Sequence, residues 1–439
     1  MATSYTASRK TTSNLEHSKL EDISSNMTLQ KPLHVAIVHS YFPPLNAYGG
    51  IVRYIVALSK GYQKLGHRVT VITRDDHNPR VEVWQGITVH YVASKKNWFS
   101  GIRLYRLLFD DLAGSATFAS TIRSVHQSDP LDLVEFSNYG SEGFFHSLRK
   151  VVPHVTRVVT MGWQSQQINQ EVGASKISLR DRWANWKEHT AIRNSDLTLT
   201  PTQFHADIVS EYLALNRKPI AVPLGADLDI QPAHATPPSD NESVINFLFV
   251  GKCDPRKGFE ILIRSFCDAY EKLGGGIKLT VVGQDSNLGP NSTSYKDYAL
   301  SQVSSNIREN IDFLGWVKDE DIANLYLNCD IFIAPSRYES FGLIYLEAMQ
   351  CRKPVIGCKV GGVMEVVSDL ENGLLINPDN SDDLTSAMVK LSQSKDLRLK
   401  LGDYGYICWS RQFTEEKMCE RTLEVYQNLL SIDCIAIKT

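Results

Sequence analysis

The stretch RYESFGLIYLEAM (residues 337–349) sets two carboxylates, Glu339 and Glu347, with seven residues between them. It follows the apolar run IFIAPS (331–336) and leads into apolar positions at helical spacing, so one acid stands ahead of a helix and the other inside it. Ser340 is placed to cap a helix that begins near Phe341. The amides of Phe341, Gly342 and Leu343 would then lack intrahelical acceptors, and such a corner holds hydroxyls or phosphate oxygens. Eight helical positions rise about 12 Å. A glycosidase needs its carboxyl groups about 5–9.5 Å apart across one bond. The pair therefore reads as a grip on two ends of a long ligand rather than as partners in one proton transfer. The plain alternative is an exposed Glu339 and a Glu347 favoured by the helix dipole.

Two further stretches carry charge or free amides. In VGKCDPRKGFE (250–260), Lys252, Arg256 and Lys257 cluster on a loop between a strand and a helix. That is a natural clamp for a diphosphate, each charge-assisted hydrogen bond contributing about 1.5–3 kcal/mol. It lacks the spacing of a P-loop, and a solvated surface loop is the bland reading. In HSYFPPLNAYGG (39–50), Gly49 and Gly50 precede a helix whose apolar face runs through Ile51, Tyr54, Ile55 and Leu58, with Gly66 as its stop. The two glycines suit either close approach of an anion to a helix N-terminus or a tight turn. They do not form GxGxxG, so a dinucleotide fingerprint is absent.

The elements that must position these residues come in two series. The first is LHVAIVHS (33–40), HRVTVITR (67–74), LDLVEFS (131–137), VTRVVTM (155–161) and LTLTPT (197–202). The second is NFLFVGK (246–252), KLTVVG (278–283), IDFLGWV (311–317), IFIAPS (331–336), PVIGCK (354–359) and LLINP (374–378). Apolar strands alternating with amphipathic helices predict parallel sheets buried on both faces. The expected architecture is α/β, with two doubly wound domains, 32–227 and 244–410, joined by the Pro- and Ser-rich linker 228–243. Ligands bind outside the carboxyl ends of such strands, here in the cleft between domains. Residues 1–31 read as a disordered tail rich in Ser and Thr, within which Met27 is an alternative start.

Composition narrows the partners. The 439 residues exceed one core. With 46 basic and 49 acidic residues, a net charge of -3 gives no global attraction to nucleic acid. All eight cysteines follow residue 250 without a CxxC pair, so they read as reduced thiols of a cytosolic protein, and no zinc spacing or DxD-type metal site stands out. No apolar run reaches the roughly 18–20 residues of a membrane span. The stretch 94–112 joins Lys95, Lys96, Arg103 and Arg106 to Trp98 and Phe99. A peripheral membrane contact is compatible with it, and ordinary packing of Ile102, Tyr105, Phe109 and Leu112 is favoured. Trp183 and Trp186, at i and i+3, read as packing, as does His189.

Taken together, PPLNAYGG (43–50), GKCDPRKG (251–258) and ESFGLIYLE (339–347) resemble glycosyltransferase family 4, retaining enzymes of the GT-B fold. PLGAD (223–227), FLGWV (313–317), VGGVMEVV (360–367) and NGLLI (372–376) follow in the family's order, so the resemblance covers about residues 33–410. It implies two Rossmann-like domains, with a nucleoside diphosphate sugar held by the second. Lys252 and Lys257 would hold the diphosphate, and Glu339 with Ser340, Phe341, Gly342 and Leu343 the donor sugar and β-phosphate. Glu347 would hold the ribose, Gly49 and Gly50 would approach from the first domain, and residues 411–439 would return to that domain.

The chain also departs from the pattern. Met161 or Gly162 stands where relatives carry a His, Leu224 where Asn is common, and Met364 where Pro is common. Gln164 or His39 are candidates to compensate for the His. Glu135 is the first-domain acid worth testing for catalysis or acceptor binding. The implied reaction transfers a sugar to a hydroxyl of a glycan, lipid or small molecule, with retention and without a resident cofactor or metal. A nucleotide-sugar-binding protein without turnover, and another GT-B enzyme such as an epimerase or phosphorylase, stay as alternatives.

Overall fold

The computed structural model describes residues 31–45, 49–94, 103–171, 177–230 and 244–436. Most of the 1–31 tail, most of the 228–243 linker, part of the loop before Gly49, and Lys95 to Ile102 therefore lie outside the described residues.

Two sheets organise the chain. The first has eight strands: β1 His34–Val38, β2 Arg68–Arg74, β3 Arg80–Trp84, β4 Ile87–Val92, β5 Leu133–Ser137, β6 His154–Arg157, β7 Leu197–Thr200 and β8 Ile220–Ala221. Their order is β3-β4-β2-β1-β5-β6-β7-β8. The second has β9 Ile245–Val250, β10 Ile277–Val282, β11 Ile311–Gly315, β12 Ile331–Ala334, β13 Val355–Cys358 and β14 Gly373–Ile376, in the order β11-β10-β9-β12-β13-β14. Every pairing is parallel except β3 with β4. Continuous apolar runs such as HVAIV and IFIA are buried at every position, as strands covered on both faces require.

The sequence reading lacked β3, β4 and β8. RVEVW and ITVHYV alternate rather than run apolar: Val81 and Val83 face solvent, while Ile87, Val89 and Tyr91 are buried. Gln85 and Gly86, both at positive φ, make the tight turn that joins β3 to β4. The antiparallel hairpin closes one edge of a sheet whose other pairs are parallel.

Seven helices bear on the site: α1 Gly50–Lys64, α2 Gly162–Glu171, α3 Leu179–Arg193, α4 Gln203–Leu213, α5 Phe259–Leu273, α6 Leu343–Gln350 and α7 Glu415–Ala436. Helix α7 packs on α1 of the first sheet's layer. The approach is close: a Cβ on Gly61 would lie 2.2 Å from Cys419 Sγ. On the way, Trp409 Nε1 donates to Ala226 O at 2.7 Å.

Beneath α7 lies a buried ionic group. Arg157 Nε donates to Glu135 at 2.7 Å, Arg157 also reaches Thr422 at 3.1 Å, and Tyr426 donates to the other Glu135 oxygen. Burial opposes the Arg157 charge, but Glu135 holds that guanidinium well above its usual range. Residues His34–Thr439 form one compact unit. No described helix is long and apolar enough to cross a membrane.

Candidate active site between the two sheets

The corner after β12 is built by backbone conformation. Helix α6 starts at Leu343, two residues later than expected, and its N-cap is Gly342 at φ 100° and ψ 67°. An L side chain there would be strained and would also strike the Tyr345 ring. Ser340 does not cap the helix; this corrects the sequence reading. Its Oγ accepts from Thr160 at 3.2 Å, and its carbonyl from Thr202 at 3.0 Å, both on the first sheet's side. The cause is the left-handed Gly342, which ends the extended corner and turns Ser340 away from the helix axis.

Glu339 is held from two sides. Lys257 Nζ donates to its Oε1, as does Ser336 Oγ at 3.1 Å. Burial would raise the Glu339 pKa, but Lys257 and Arg256 overcome that and hold it below the usual carboxylate range. Lys257 itself is fixed by a short turn, Pro255–Lys257, whose Asp254 side chain accepts from the Lys257 amide at 2.9 Å.

A cavity of about 650 Å³ opens on this corner. Arg256, Lys257, Glu339, Ser340, Phe341, Gly342 and Leu343 line it from the second sheet's side. Gly50, Tyr54, Asn138, Thr160, Gly162 and Glu188 line it from the first. A Cβ on Gly50 would lie 3.5 Å from Leu343 Cδ1, so the head of α1 abuts the head of α6. Gly49 is the N-cap of α1 at φ 96° and is not part of the wall. Lys252 is exposed and outside the wall, whereas Arg256, its neighbour in the loop, lies in it. Glu347 is buried beyond the wall: Arg53 of α1 donates to Oε1, and Tyr326 donates to Oε2 at 2.7 Å.

The proposed compensating residues are engaged elsewhere. Gln164 Oε1 accepts from the Met161 amide at 2.8 Å, and its Nε2 donates to Tyr338 at 2.7 Å. His39 Nδ1 lies 3.2 Å from Glu142 and 3.1 Å from Ser137. Met161 is fully buried in an apolar cluster. Glu135 faces α7, not the cavity, because Arg157 and Tyr426 take its oxygens. Trp183 and Trp186 stack on each other at 5.0 Å.

Glu188 on α3 is the acid that sequence reasoning missed. It accepts from Asn138 Nδ2 at 2.6 Å and from the Gly162 amide at 3.1 Å, in the cavity wall. Burial pushes its carboxyl up to about 7, against those two hydrogen bonds. A signal existed: Ala184, Ala191 and Ile192 share its helix face at i−4, i+3 and i+4, so the acid interrupts an apolar stripe. Among the described residues no group of His, Cys, Asp and Glu is arranged to hold a metal ion.

The site thus offers two cations, free helix amides and a buried carboxylate around a cavity between two parallel sheets. This suits a ligand with a diphosphate joined to a hydroxyl-rich group.

Comparison with known proteins agrees with that geometry. Residues 234–407 match the family described as glycosyl transferases group 1, and residues 49–225 match the glycosyl transferase 4-like domain. An uncharacterized glycosyltransferase of Methanocaldococcus jannaschii is 36% identical over 190 residues, 43% of this chain and 50% of that protein. The D-inositol 3-phosphate glycosyltransferase of Mycobacteroides abscessus is 28% identical over 383 residues, 82% of each chain. The structure of sucrose-phosphate synthase from Thermosynechococcus elongatus superposes with a TM-score of 0.72 at 20% identity, covering 91% of this chain and 100% of that one. The chain belongs to the glycosyl transferases group 1 family and is a glycosyltransferase with the GT-B fold.

Proposed function

We propose that the chain transfers a sugar from a nucleoside diphosphate sugar to an acceptor hydroxyl with retention of the anomeric configuration. The observation that carries this is the convergence of Arg256, Lys257, Glu339 and the head of α6 on one cavity. The diphosphate lies against Arg256, Lys257 and the Gly342 and Leu343 amides, with Lys252 contributing long-range attraction. Glu339 and Ser340 face the donor sugar. The ribose reaches Glu347, where its hydroxyls replace the Arg53 contact. Gly50 closes the first-domain side; Gly49 only caps its helix.

In the reaction the bond between the anomeric carbon and the diphosphate oxygen breaks, and the electron pair stays on the phosphate. The acceptor oxygen bonds to the anomeric carbon from the same face, and its proton passes to the departing phosphate oxygen. Arg256, Lys257 and the helix amides stabilise the charge that grows there. Losing one such donor costs about 2.7–4 kcal/mol in the barrier. Glu188 positions the Gly162 amide and Asn138, which form the wall where relatives place a His.

A second reading, a protein that holds nucleotide sugar without turnover, is favoured by the buried Met161 at that place. One experiment separates the two. The purified chain is incubated with UDP-, GDP- and ADP-sugars and a panel of hydroxyl acceptors, and the product linkage is read by NMR. Transfer with the donor's configuration is expected. An inverted product contradicts the mechanism, and nucleotide binding without release of sugar supports the second reading. The seven described cysteines are free and mostly buried, which supports a reducing, cytosolic setting.

A further inference from the structure

The turn that carries Arg256 and Lys257 runs from Pro255 to Lys257, and both of its peptide planes are tied down. The Pro255 carbonyl accepts from Arg337 Nη1. The Arg256 carbonyl accepts from the Arg337 amide at 2.8 Å. On the opposite edge of that second planar unit, the Lys257 amide donates to Asp254 at 2.9 Å. Gly258 then brings the chain against the residue that follows β12: a Cβ there would lie 2.0 Å from Pro335 O. A single residue, Arg337, therefore holds both carbonyls of the turn.

Arg337 itself stands outside the cavity wall. Its remaining donors go to two other segments. Nη2 donates to Glu260 in the first turn of α5, whose other oxygen accepts from Tyr295. Nε donates at 2.7 Å to Asp379, in the loop after β14. Burial opposes the Arg337 charge, but Glu260 and Asp379 hold that guanidinium well above its usual range. Two carboxylates beside one cation leave no surplus positive charge to attract an anion. What Arg337 supplies to the cavity is direction.

A guanidinium suits this task. Its fork sets three nitrogens in one plane and meets three acceptors on three segments at once, which the point charge of a lysine cannot do. The cavity gains because Arg256 and Lys257 lie in its wall on a turn that is already ordered. On a loose turn the ligand would have to order them, and would bind more weakly by the cost of doing so.

We propose that Arg337 is a positioning residue for the diphosphate: without touching the ligand, it fixes the Pro255–Lys257 turn so that Arg256 and Lys257 meet the two phosphates together. This rests on the transferase reading and adds a residue to its donor site.

The test titrates the full chain calorimetrically with UDP, GDP and ADP and with the matching monophosphates. Wild type is expected to bind one diphosphate, and more tightly than its monophosphate. In Arg337→Ala that diphosphate binds about tenfold more weakly, while the monophosphate stays within about twofold of wild type. Arg337→Lys keeps the charge without the fork and falls between the two. Asp379→Asn, at an exposed partner, weakens the diphosphate about threefold. Millimolar guanidinium chloride, far below unfolding concentrations, restores diphosphate binding to Arg337→Ala but not to Lys257→Ala. Sodium chloride at the same ionic strength restores neither. A residue that only stabilised the fold would lower the melting temperature and weaken both nucleotides alike. Equal losses for the two nucleotides, or an undiminished diphosphate preference in Arg337→Ala, overturn the proposal while leaving the transferase reading in place. If Arg337→Ala does not fold, the same ratio in Arg337→Lys and Asp379→Asn decides. A wild-type chain that binds no nucleotide would instead sink the transferase reading.

Discussion

Two carboxylate–cation pairs, Glu135 with Arg157 and Glu339 with Lys257, differ in what lies beside them. Glu135 and Arg157 are sealed between the first sheet and α7, where Thr422 and Tyr426 take further hydrogen bonds. Glu339 and Lys257 are sealed on one side only, and the cavity lies on the other. Burial and pairing alone therefore do not mark a site. We propose that the open pair serves the ligand and the sealed pair serves stability, because a cavity and the head of α6 adjoin only the first.

The comparison breaks most visibly at the open pair. Lys257→Ala and Glu339→Gln are each expected to lower the transfer rate about 10²–10³-fold. Their melting temperatures should stay within a few degrees of wild type, because the cavity lets water solvate the remaining partner. Steady-state rates and thermal melts check both halves of this statement. A loss of stability without loss of rate would reverse the assignment of the two pairs.

At the sealed pair the opposite is expected. Glu135→Ala leaves the Arg157 charge buried and unpaired, and should cost about 3–5 kcal/mol in urea unfolding. The rate per folded molecule, corrected by active-site titration with nucleotide, should hardly change.

Glu188 sharpens the contrast because it belongs to both classes, buried and yet in the cavity wall. Its folded-state pKa of about 7 lies above the free value. The folded chain thus holds that proton more tightly, and this contribution to stability is complete below the free value and is lost as pH rises to about 7. Glu415, raised to about 7 by burial and by Asp227, acts with the same sign. His189 and His205, lowered by burial to about 4, act oppositely: their contribution grows as pH rises from about 4 to the free histidine value. Glu188→Gln removes only the first effect. Its stability should fall less than wild type between about pH 5 and 7 in urea melts recorded across that range. Its rate profile should lose an inflection near the Glu188 value.

The smallest effect is expected at Arg53. Removing it leaves Glu347 with Tyr326 alone in the free protein, so nucleotide binding to Arg53→Ala should tighten by roughly threefold to tenfold. Calorimetric titration reads it; weaker binding would mean that Arg53 stays in contact with Glu347 or the ligand.

Much of this was legible in the residues. Continuous apolar runs such as IFIAPS located the parallel strands, because strands covered on both faces must be apolar throughout. The ESFG corner and the GKCDPRKG loop pointed to two stretches whose residues the fold brings to one cavity wall. Four things were not legible. The β3–β4 hairpin alternates, so its signal was weak. Ser340 looked like a cap because its type is right, but the left-handed Gly342 starts the helix later. Arg256 and Lys252 are equivalent as letters, and only the turn at Pro255–Lys257 decides which one faces the cavity. Glu188 was hidden for a related reason: its partners, Asn138 and Gly162, are far away in the chain.

The central claim is that a nucleoside diphosphate sugar occupies the cavity at the head of α6. Thermal stabilisation by UDP, GDP, ADP and their sugars tests it directly, with Lys257→Ala and Glu347→Ala in parallel. Saturating ligand at 100 times Kd should add about 2.7 kcal/mol. The account predicts a clear shift with one nucleotide, larger for its sugar conjugate, and lost or strongly reduced in both variants. A wild-type shift that survives both substitutions, or no shift with any nucleotide, would contradict it.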